Sequence, residues 1–429
     1  MKLKKILLFI LVLLCYYNNN VYSLNNGNII YKKSVCIIGG GFGGLYTALK
    51  LDDISQGNIA ITLVDPKENF VFLPLLYELA INTASEIEVA PKYDELLKNS
   101  NIKFMKDIVK SIDPLTKKVT YDTDKEVCYD QIVLAVGSQP RLDIVPGAKE
   151  FSIPFYGIND AYNLQGKLNQ LLKNDQIIRV VVIGGGYSGV EVATSVSEYL
   201  TKRNAVVTIL DRNECVMHSS PEHNRATAEK SLLSYGISIN VNTDVKKVSQ
   251  TAVTVLNKIT NEEYDIPADI VISTCGVQPN KLIQSLNLKK DPYGRILTTR
   301  TLQSLEYPNI FALGDCSSIN NNALPSTAQV AMQQSEIVAS NVLTCAKSKE
   351  EPNFMELENF RFVPLGEMLT LGKVDASVYS LGGLVTLDGP LAAMSRRLVY
   401  AFRMPTNNQR ATALLNSGLS TIKSLISRN

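Results

Sequence analysis

The sequence predicts an α/β protein that contains two doubly wound domains of the same build. An apolar run at 35–38 leads into the glycine-rich segment 39–44, then into a helical pattern and a second apolar run at 59–64. The same order recurs 145 residues later, at the glycine-rich segment 184–189. A shorter unit, an apolar run ending on a glycine, also occurs twice, at 130–140 and 269–279. Two pairs of matching segments at nearly one offset predict a duplicated Rossmann-like fold.

The first glycine-rich segment has the spacing of a dinucleotide-binding fingerprint. Gly39, Gly41 and Gly44 occupy its three glycine positions, and Asp65 follows 21 residues beyond the third. The first glycine permits the tight turn, the second lets a pyrophosphate approach the backbone, and the third lets the helix pack on the strand. A carboxylate at Asp65 can accept hydrogen bonds from ribose hydroxyls. We therefore expect a bound dinucleotide, with a ligand-free glycine turn as the alternative.

The second glycine-rich segment repeats this arrangement. Gly184, Gly186 and Gly189 fill the glycine positions, and Asp211 stands 22 residues beyond the third. A carboxylate there suits the free 2′-hydroxyl of NADH, whereas the adjacent Arg212 could meet the 2′-phosphate of NADPH. The sequence favours NADH and leaves NADPH open.

Composition excludes several other classes of protein. The 429 residues allow two or three domains, and 43 Lys and Arg against 41 Asp and Glu argue against a nucleic-acid partner. The seven cysteines include no Cys-x-x-Cys, which argues against a disulfide scaffold, a zinc ribbon or a redox dithiol. With only two histidines, we expect no bound metal.

The N-terminus has the pattern of a targeting segment. Lysines precede a twelve-residue apolar run from Ile6 to Tyr17, which is short for a membrane span and typical of a signal peptide. An uncleaved anchor over 1–23 is the alternative, and 24–33 reads as a spacer. Entry into the secretory route, with cysteines that do not look like disulfides, favours a plastid reached by that route. An endomembrane or mitochondrial location is the alternative.

Two further segments could either contribute to a binding site or serve a structural role. The aromatic and leucine-rich segment 66–77 could wall a flat ring or belong to the core. In the helical pattern after 324–327, Gln329, Met332 and Gln333 share one face. Their amides could bind a carbonyl such as that of a quinone, or could cap neighbouring backbone, which the residues alone favour.

Taken together, these residues resemble the type II NAD(P)H dehydrogenases, single-chain flavoproteins that pass electrons from a nicotinamide to a quinone at a membrane surface. The resemblance runs from Val35 to the C-terminus and is sharpest in the two glycine-rich segments, 69–77, 311–315 and 328–334. The segments 365–372, 387–390 and 403–406 are similar to the plastid branch. Members of that branch reduce phylloquinone- and plastoquinone-type substrates.

The resemblance implies FAD at the first fingerprint and NADH or NADPH at the second. Asp65 would bind the adenosine ribose of FAD and Asp315 its ribityl chain, while Glu191 would lie near the nicotinamide and the flavin. The implied catalytic residues are Glu191, Gln329 and Gln333. The implied cofactor-binding residues are Gly39, Gly41, Phe42, Gly43, Gly44, Asp65, Pro66, Asn69, Phe72, Val109, Ala135, Gly137, Gly314, Asp315, Ala328, Gly184, Gly186, Gly189, Asp211 and Gly276.

This sequence departs from the family pattern in three places. Val136 stands where related flavoproteins often carry threonine, which weakens a hydroxyl contact there. Met332 replaces a histidine of some mitochondrial members, so a histidine proton relay is not expected. Tryptophan, frequent in the family's C-terminal helices, is absent.

The expected mechanism passes hydride from the nicotinamide C4 to flavin N5 across the interface of the two domains. A helix that starts near Ser326 would direct its N-terminal amides at the flavin's pyrimidine edge. Reduced flavin would then pass two electrons to a quinone near Gln329 and Gln333.

The C-terminal region reads as basic and amphipathic. From Gly389 to Asn429 there is no acidic residue, and a helical apolar repeat follows. The cations are Arg396, Arg397, Arg403, Arg410, Lys423 and Arg428, and the apolar repeat is Leu415, Leu419, Ile422 and Ile426. Such a helix can lie on an anionic bilayer, so we expect a membrane surface as a partner. Docking on a partner subunit, including a homodimer, is the alternative.

The predicted organisation is therefore an FAD domain at 34–176 and 290–346, an NAD(P)H domain at 177–289 and a membrane-association region at 347–429. A sulfide:quinone reductase is a rival with a similar layout, but it needs redox cysteines at the flavin. Cys128, Cys275 and Cys316 give no convincing pair. A flavin- and NAD(P)H-binding interaction protein without enzymatic activity is the rival from another class.

Overall fold

The computed structural model describes residues 33–320, 324–348 and 356–414. The segment interpreted as a signal peptide or anchor, 1–23, lies outside the described residues. So does the amphipathic repeat that begins at Leu415.

The chain forms short strands and helices in close alternation. The strands are β1 (Lys33–Ile38), β2 (Ile59–Asp65), β3 (Lys103–Lys106), β4 (Val109–Asp113), β5 (Lys118–Tyr121), β6 (Glu126–Cys128), β7 (Gln131–Leu134), β8 (Ser138–Pro140), β9 (Ser152–Ile153), β10 (Ile178–Ile183), β11 (Ala205–Leu210), β12 (Ser238–Asn240), β13 (Thr243–Val248), β14 (Ala252–Asn257), β15 (Glu262–Pro267), β16 (Ile270–Ser273), β17 (Val277–Pro279), β18 (Ile296–Thr298), β19 (Ile310–Ala312), β20 (Ser317–Ile319), β21 (Gly366–Thr370), β22 (Ala376–Ser380) and β23 (Val385–Asp388). The α-helices are α1 (Phe42–Ser55), α2 (Leu76–Ala80), α3 (Glu86–Val89), α4 (Tyr93–Leu96), α5 (Ala148–Phe151), α6 (Ile158–Leu171), α7 (Tyr187–Tyr199), α8 (Glu222–Ser234), α9 (Lys281–Ser285), α10 (Ala328–Lys347) and α11 (Gly389–Phe402). Single 3-10 turns span Leu73–Leu75, Gly314–Cys316 and Leu381–Gly383.

The first sheet is parallel, with the strand order β19-β7-β1-β2-β3. Its central strands are buried, which explains why they read as continuous apolar runs rather than alternating ones. Helices α1 and α10 pack against each other beside this sheet. The predicted strand, glycine turn, helix and strand at 35–65 is confirmed.

The second sheet is also parallel and has the order β12-β11-β10-β16-β9. Strands β10, β11 and β16 take the places that β1, β2 and β7 take in the first sheet, so the predicted duplication is confirmed. Strand β19, an edge strand of the first sheet, follows the second sheet in the chain, whereas β9, an edge strand of the second sheet, precedes the rest of that sheet. The second sheet therefore draws on residues before 177, where we expected its domain to begin.

Antiparallel elements accompany both sheets. The three-stranded sheet β4-β5-β6 precedes β7, and the three-stranded sheet β13-β14-β15 precedes β16. Strands β8 and β17, which end the two shorter repeat units, pair with each other and so join the two halves of the chain.

The C-terminal region differs from the helical expectation. Residues 366–388 form the three-stranded antiparallel sheet β21-β22-β23, and α11 packs against it. Pro390 stands in the first turn of α11, where a missing N–H costs nothing. Arg396, expected on a basic surface, is instead 2% exposed, because Glu78 and Tyr77 bind its guanidinium group inside the protein. Across the described residues, the helices are too short or too polar to span a bilayer.

Candidate active site

One large cavity, of about 810 Å³, opens at the carboxyl ends of β1, β2 and β7. Ligands of open α/β sheets bind at this place. Residues of both sheets and of the C-terminal sheet line it, so the cavity lies where all three parts of the structure meet. Its volume is within the range of small-molecule and cofactor sites.

The two glycine turns have the geometry that the fingerprint requires. A Cβ on Gly39, where φ is +100°, would lie 2.5 Å from the carbonyl oxygen of Ala135. A Cβ on Gly44 would lie 1.7 Å from the carbonyl oxygen of Gly39, whereas one on Gly41 would meet no atom within 4 Å. The first and third glycines thus allow close packing, and the second leaves open space for a ligand. The second turn repeats this pattern at Gly184, Gly186 and Gly189.

The acidic residues at the carboxyl ends of β2 and β11 both bind their own glycine turn. Asp65 accepts hydrogen bonds from the backbone N–H groups of Gly40, at 2.7 Å, and Lys67, at 2.8 Å, and it lines the cavity. Burial raises the pKa of Asp65 despite these bonds. Asp211 accepts from Gly185 N, at 2.6 Å, and from the backbone and side chain of Asn213. Asp211 is 8% exposed, and its contact with a ribose stays a prediction.

Asp315 follows β19, an edge strand of the first sheet, and lies next to a hydroxyl that the sequence did not indicate. Ser138 donates a hydrogen bond to Asp315, at 2.9 Å, and its oxygen also lies 3.0 Å from the hydroxyl of Tyr156. Burial raises the pKa of Asp315, and the Ser138 hydrogen bond lowers it. The expected weakness at Val136 is therefore offset two residues later in the chain.

The remaining predicted residues of the first site divide into lining and support. Those that line the cavity are Gly39, Gly41, Phe42, Gly43, Asp65, Pro66, Asn69, Val109, Ala135, Gly137, Gly276, Gly314, Asp315, Ala328 and Glu191. Phe72 does not line the cavity, and its contact with a cofactor stays a prediction. It is 1% exposed, and its ring packs edge-on against Phe42 and Tyr400, at centroid distances of 5.3 and 5.5 Å. Apolar packing thus holds Phe72 in the core.

The two glutamines of α10 bind the backbone of the segment that leads into β21. Gln333 accepts from Val363 N, at 3.0 Å, and donates to Val363 O, at 2.8 Å. Gln329 accepts from Leu365 N, at 2.9 Å, and donates to Gly366 O, at 3.1 Å. These amides therefore cap neighbouring backbone, the alternative that the residues alone favoured. A contact between Gln329 and a quinone stays a prediction.

Glu191 lies on α7, at the wall of the cavity that the second sheet supplies. One carboxylate oxygen accepts a hydrogen bond from the backbone N–H of Thr370, at 3.0 Å. Burial raises the pKa of Glu191 to about 7, whereas Thr370 and Arg396 lower it. A half-buried carboxyl whose pKa lies near neutrality can exchange a proton at the pH of a cell.

Three tyrosines line the same cavity as this carboxyl, and sequence reasoning did not single most of them out. They are Tyr77, Tyr187 and Tyr400, and Met368 lines the cavity with them. Tyr187 directly follows Gly186 of the second fingerprint, as Phe42 directly follows Gly41 of the first. That repeated aromatic position was the one signal in the sequence that could have indicated Tyr187.

These residues fit a flavin dinucleotide. The open space at Gly41 faces the N-terminus of α1, a favourable place for a pyrophosphate. The carboxylates of Asp65 and Asp315 line the cavity at two separate points, and Ala328 adds the N-terminus of α10. Residues 273–277 and Tyr187 bring the second sheet to the same space.

The cysteines do not form a redox pair in the described part of the chain. Six of them are free, and Cys275 is the one that lines the cavity. Burial raises the pKa of Cys275 to about 12, so its thiolate is disfavoured at neutral pH. No cluster of potential metal ligands occurs among the described residues.

Comparison with known proteins identifies the family. Residues 33–335 match the family of pyridine nucleotide-disulphide oxidoreductases. Demethylphylloquinone reductase NdbB of Synechocystis is 38% identical over 90% of this chain and 95% of its own length. Alternative NAD(P)H-ubiquinone oxidoreductase C1 of Arabidopsis thaliana, a chloroplastic and mitochondrial protein by name, is 36% identical over 88% of this chain and 79% of its own length.

Solved structures show the same fold at lower identity. The structure of NDH2 from Plasmodium falciparum in complex with NADH superposes with a TM-score of 0.81 at 16% identity, covering 90% of this chain and 97% of that chain. The chain belongs to the pyridine nucleotide-disulphide oxidoreductases and, within them, is a type II NAD(P)H dehydrogenase that uses FAD and a nicotinamide donor.

Proposed function

We propose that this enzyme transfers reducing equivalents from NADH or NADPH, through FAD, to a phylloquinone- or plastoquinone-type quinone at a membrane surface of a plastid. The observation that carries the proposal is the shared cavity. Residues of the first fingerprint, residues 273–277 of the second half and Met368 of the C-terminal sheet line a single space. A nicotinamide donor and a quinone acceptor could therefore both reach the same flavin within this cavity.

The chemistry that FAD supplies when bound is two-electron transfer between a nicotinamide and a quinone. The residues of the chain position it. The turn at Gly41 and the N-terminus of α1 would hold the pyrophosphate, Asp65 the adenosine ribose and Asp315 the ribityl chain. The N-terminus of α10, which begins at Ala328 and has Thr327 as its cap, adds a positive dipole end at the cavity.

The quinone end of the cavity would be its apolar part. Leu73, Pro74, Met368 and Tyr400 line the cavity and supply apolar surface. A quinone ring needs apolar walls with few polar groups, which this part provides. The family resemblance instead places the quinone near Gln329 and Gln333. The amides of both residues are already hydrogen-bonded to backbone, which favours the apolar part of the cavity.

The membrane contact would involve the C-terminal part of the described chain. Leu384, at 72% exposure, and the exposed side chains of Leu391, Met394 and Phe402 belong to the turn before β23 and to α11. Isolated exposed leucines are common, but these four lie within 19 residues of one another in a region without acidic residues after Asp388. An anionic bilayer is the surface that suits this combination.

Rapid mixing of the purified flavoprotein with NADH or NADPH, followed by a quinone, tests the proposal. Bleaching of the flavin absorbance by the nicotinamide and its recovery on addition of a phylloquinone-type quinone are the expected results. If NADH or NADPH bleaches the flavin but no quinone restores its absorbance, the protein is a flavoprotein that a nicotinamide reduces and that has another electron acceptor. Reduction by sulfide rather than by a nicotinamide would support the sulfide:quinone reductase reading.

A further inference from the structure

Arg396 is the largest fully buried side chain of the described structure, and the mechanism above does not use it. Its guanidinium donates to the Tyr77 hydroxyl, at 2.8 Å, and to Glu78, at 2.7 Å, and lies over the ring of Tyr400, 5.0 Å from the centroid. Removing one partner from a buried ion pair leaves an uncompensated charge, so such pairs are costly unless every group is satisfied. The position of this pair next to the cavity calls for a functional explanation.

A line of hydrogen bonds connects Arg396 to Glu191. The Tyr77 hydroxyl accepts from Arg396 and is hydrogen-bonded to the Thr370 hydroxyl. Thr370 in turn donates its backbone N–H to the Glu191 carboxyl, at 3.0 Å. Tyr77 and Glu191 both line the cavity.

The donor and acceptor properties of these groups set the direction of the hydrogen bonds between Arg396 and Thr370. Arginine can only donate, so the oxygen of Tyr77 accepts from Arg396 and its own hydrogen is free to point at Thr370. The Arg396 and Tyr77 donors therefore both point toward Thr370, each bond polarises the next, and the Thr370 residue held in this way donates its backbone N–H to Glu191.

We propose that Arg396 is a positioning residue for Glu191, acting through the hydroxyls of Tyr77 and Thr370 to keep that carboxyl ready to exchange a proton with the cavity. This inference rests on the proposed function. NAD(P)H delivers two electrons and one proton as hydride, whereas reduction of a quinone to a quinol takes two electrons and two protons, so one proton per turnover comes from solution. The O–H bond of Glu191 breaks as the quinone oxygen gains that proton, and water reprotonates the carboxylate.

The charged and titratable groups around Glu191 make opposite contributions. Arg396 of α11 lowers the pKa of Glu191, and Glu78 of α2 raises it. Tyr77 and Tyr400 also interact with this carboxyl, and their own pKa values are raised by burial, so both stay neutral. Glu367 of the C-terminal sheet is engaged elsewhere, with the hydroxyl of Tyr187.

These signs define the experiment. Infrared difference spectroscopy of the FAD-loaded enzyme follows the protonated carboxyl band of Glu191, assigned by its loss in E191Q, as a function of pH. The wild-type midpoint should lie near pH 7. T370V keeps the backbone donor and the side-chain volume but removes the hydroxyl, and R396Q removes the charge; both should raise the midpoint, by about one pH unit.

Two further variants complete the set. E78Q removes the opposing anion and should lower the midpoint, while R396K, which restores the charge, should return it toward the wild-type value. R397Q is the matched control, because Arg397 binds the outer oxygen of Glu78, at 3.3 Å, and should leave the midpoint unchanged.

Midpoints of T370V and R396Q equal to that of the wild type would overturn the inference. T370V decides the matter if R396Q does not fold. Quinone turnover, measured on the same samples, separates the two proposals. If the quinone is turned over but the midpoints are unshifted, the positioning role of Arg396 is refuted and the proposed function stands. If the midpoints shift but no quinone is turned over, the quinone acceptor is refuted and the positioning role stands.

Discussion

Single hydroxyls decide how the acidic groups of this cavity are held. Asp315 is enclosed by protein, and the Ser138 hydroxyl is the side-chain donor that lowers its pKa against the effect of burial. The family resemblance directed attention to the position of Val136, which cannot donate. The structure instead supplies a hydroxyl from the first residue of β8.

Replacement of Ser138 by alanine should weaken FAD binding about five-fold, since a lost hydrogen bond to a partly charged group costs about 1 kcal/mol. The pKa of Asp315 should rise in this variant, so the loss should be larger at acidic pH. Equilibrium titration of the apoprotein with FAD, followed by flavin fluorescence, measures the change. S111A, at an exposed serine of β4, is the control. Equal affinity in S138A and S111A would show that the hydroxyl is unimportant.

Two glycines offer a matched pair for testing the turn geometry. G44A places a Cβ 1.7 Å from a backbone oxygen, so it should destabilise the protein by about 1–3 kcal/mol and reduce FAD retention. G166A lies on the exposed face of α6 with no atom within 4 Å, and it should stabilise by about 0.5–1 kcal/mol. Thermal unfolding of both variants checks the signs. A melting temperature of G44A at or above that of the wild type would contradict the close packing at Gly44.

At the scale of elements, α10 acts as a template for the segment that enters the C-terminal sheet. Its glutamines meet the backbone of Val363, Leu365 and Gly366 much as a neighbouring strand would. An i, i+4 pair of amides on a helix can therefore satisfy an extended backbone that has no strand partner at that edge.

Replacement of Gln333 by leucine should release this segment. The N–H and C=O of Val363 lose their partners, and hydrogen exchange of the amides of Val363, Leu365 and Gly366 should accelerate about five-fold or more, since about 1–3 kcal/mol of local stability is lost. Q170L, at an exposed glutamine of α6, serves as the control. Unchanged protection in Q333L would contradict the template role.

Q329L tests the quinone assignment separately. Should Gln329 contact the quinone, turnover would fall while flavin reduction by NADH keeps its rate. A purely structural Gln329 would instead show faster exchange at 365–366, with both half-reactions affected in the same proportion. Stopped-flow measurement of the two half-reactions distinguishes these results.

At the scale of the whole molecule, the proposed membrane contact lies in the C-terminal region. The double variant L384D/M394D should reduce binding to vesicles that contain anionic lipid by at least about ten-fold, because two apolar contacts are replaced by charges that the surface repels. L115D, at an exposed leucine between β4 and β5, is the control and should bind like the wild type. Flotation of the holoenzyme with vesicles measures this, and equal binding of all three proteins would exclude these side chains from the contact.

The sequence was sufficient for the parts of the fold that local pattern dictates. The glycine turns, the apolar strands and the duplication are local, and all were predicted. Strand β9 was not, because a two-residue strand such as Ser152–Ile153 carries no periodicity. The Arg396–Glu78 pair was also missed, since the two residues lie 318 positions apart and each reads as a surface charge by itself. Whether an arginine is buried depends on tertiary packing, which the spacing of residues along the sequence does not encode.

The distance along the chain between Glu78 and Arg396 also sets an order of events during synthesis. At roughly 5–20 residues per second, a ribosome takes about 16–64 s to reach Arg396 after Glu78 has been made. Throughout that interval the carboxylate has no cation to neutralise it inside the protein, so α2 cannot bury it and the inner end of the cavity stays open to water. Strands β1, β2, β3 and β7 are made early, but β19 and the predicted FAD contacts Asp315 and Ala328 follow later, and the environment of Glu191 is completed only when α11 arrives. The segments that would bind FAD are therefore all synthesised before the last charged partner in the environment of Glu191.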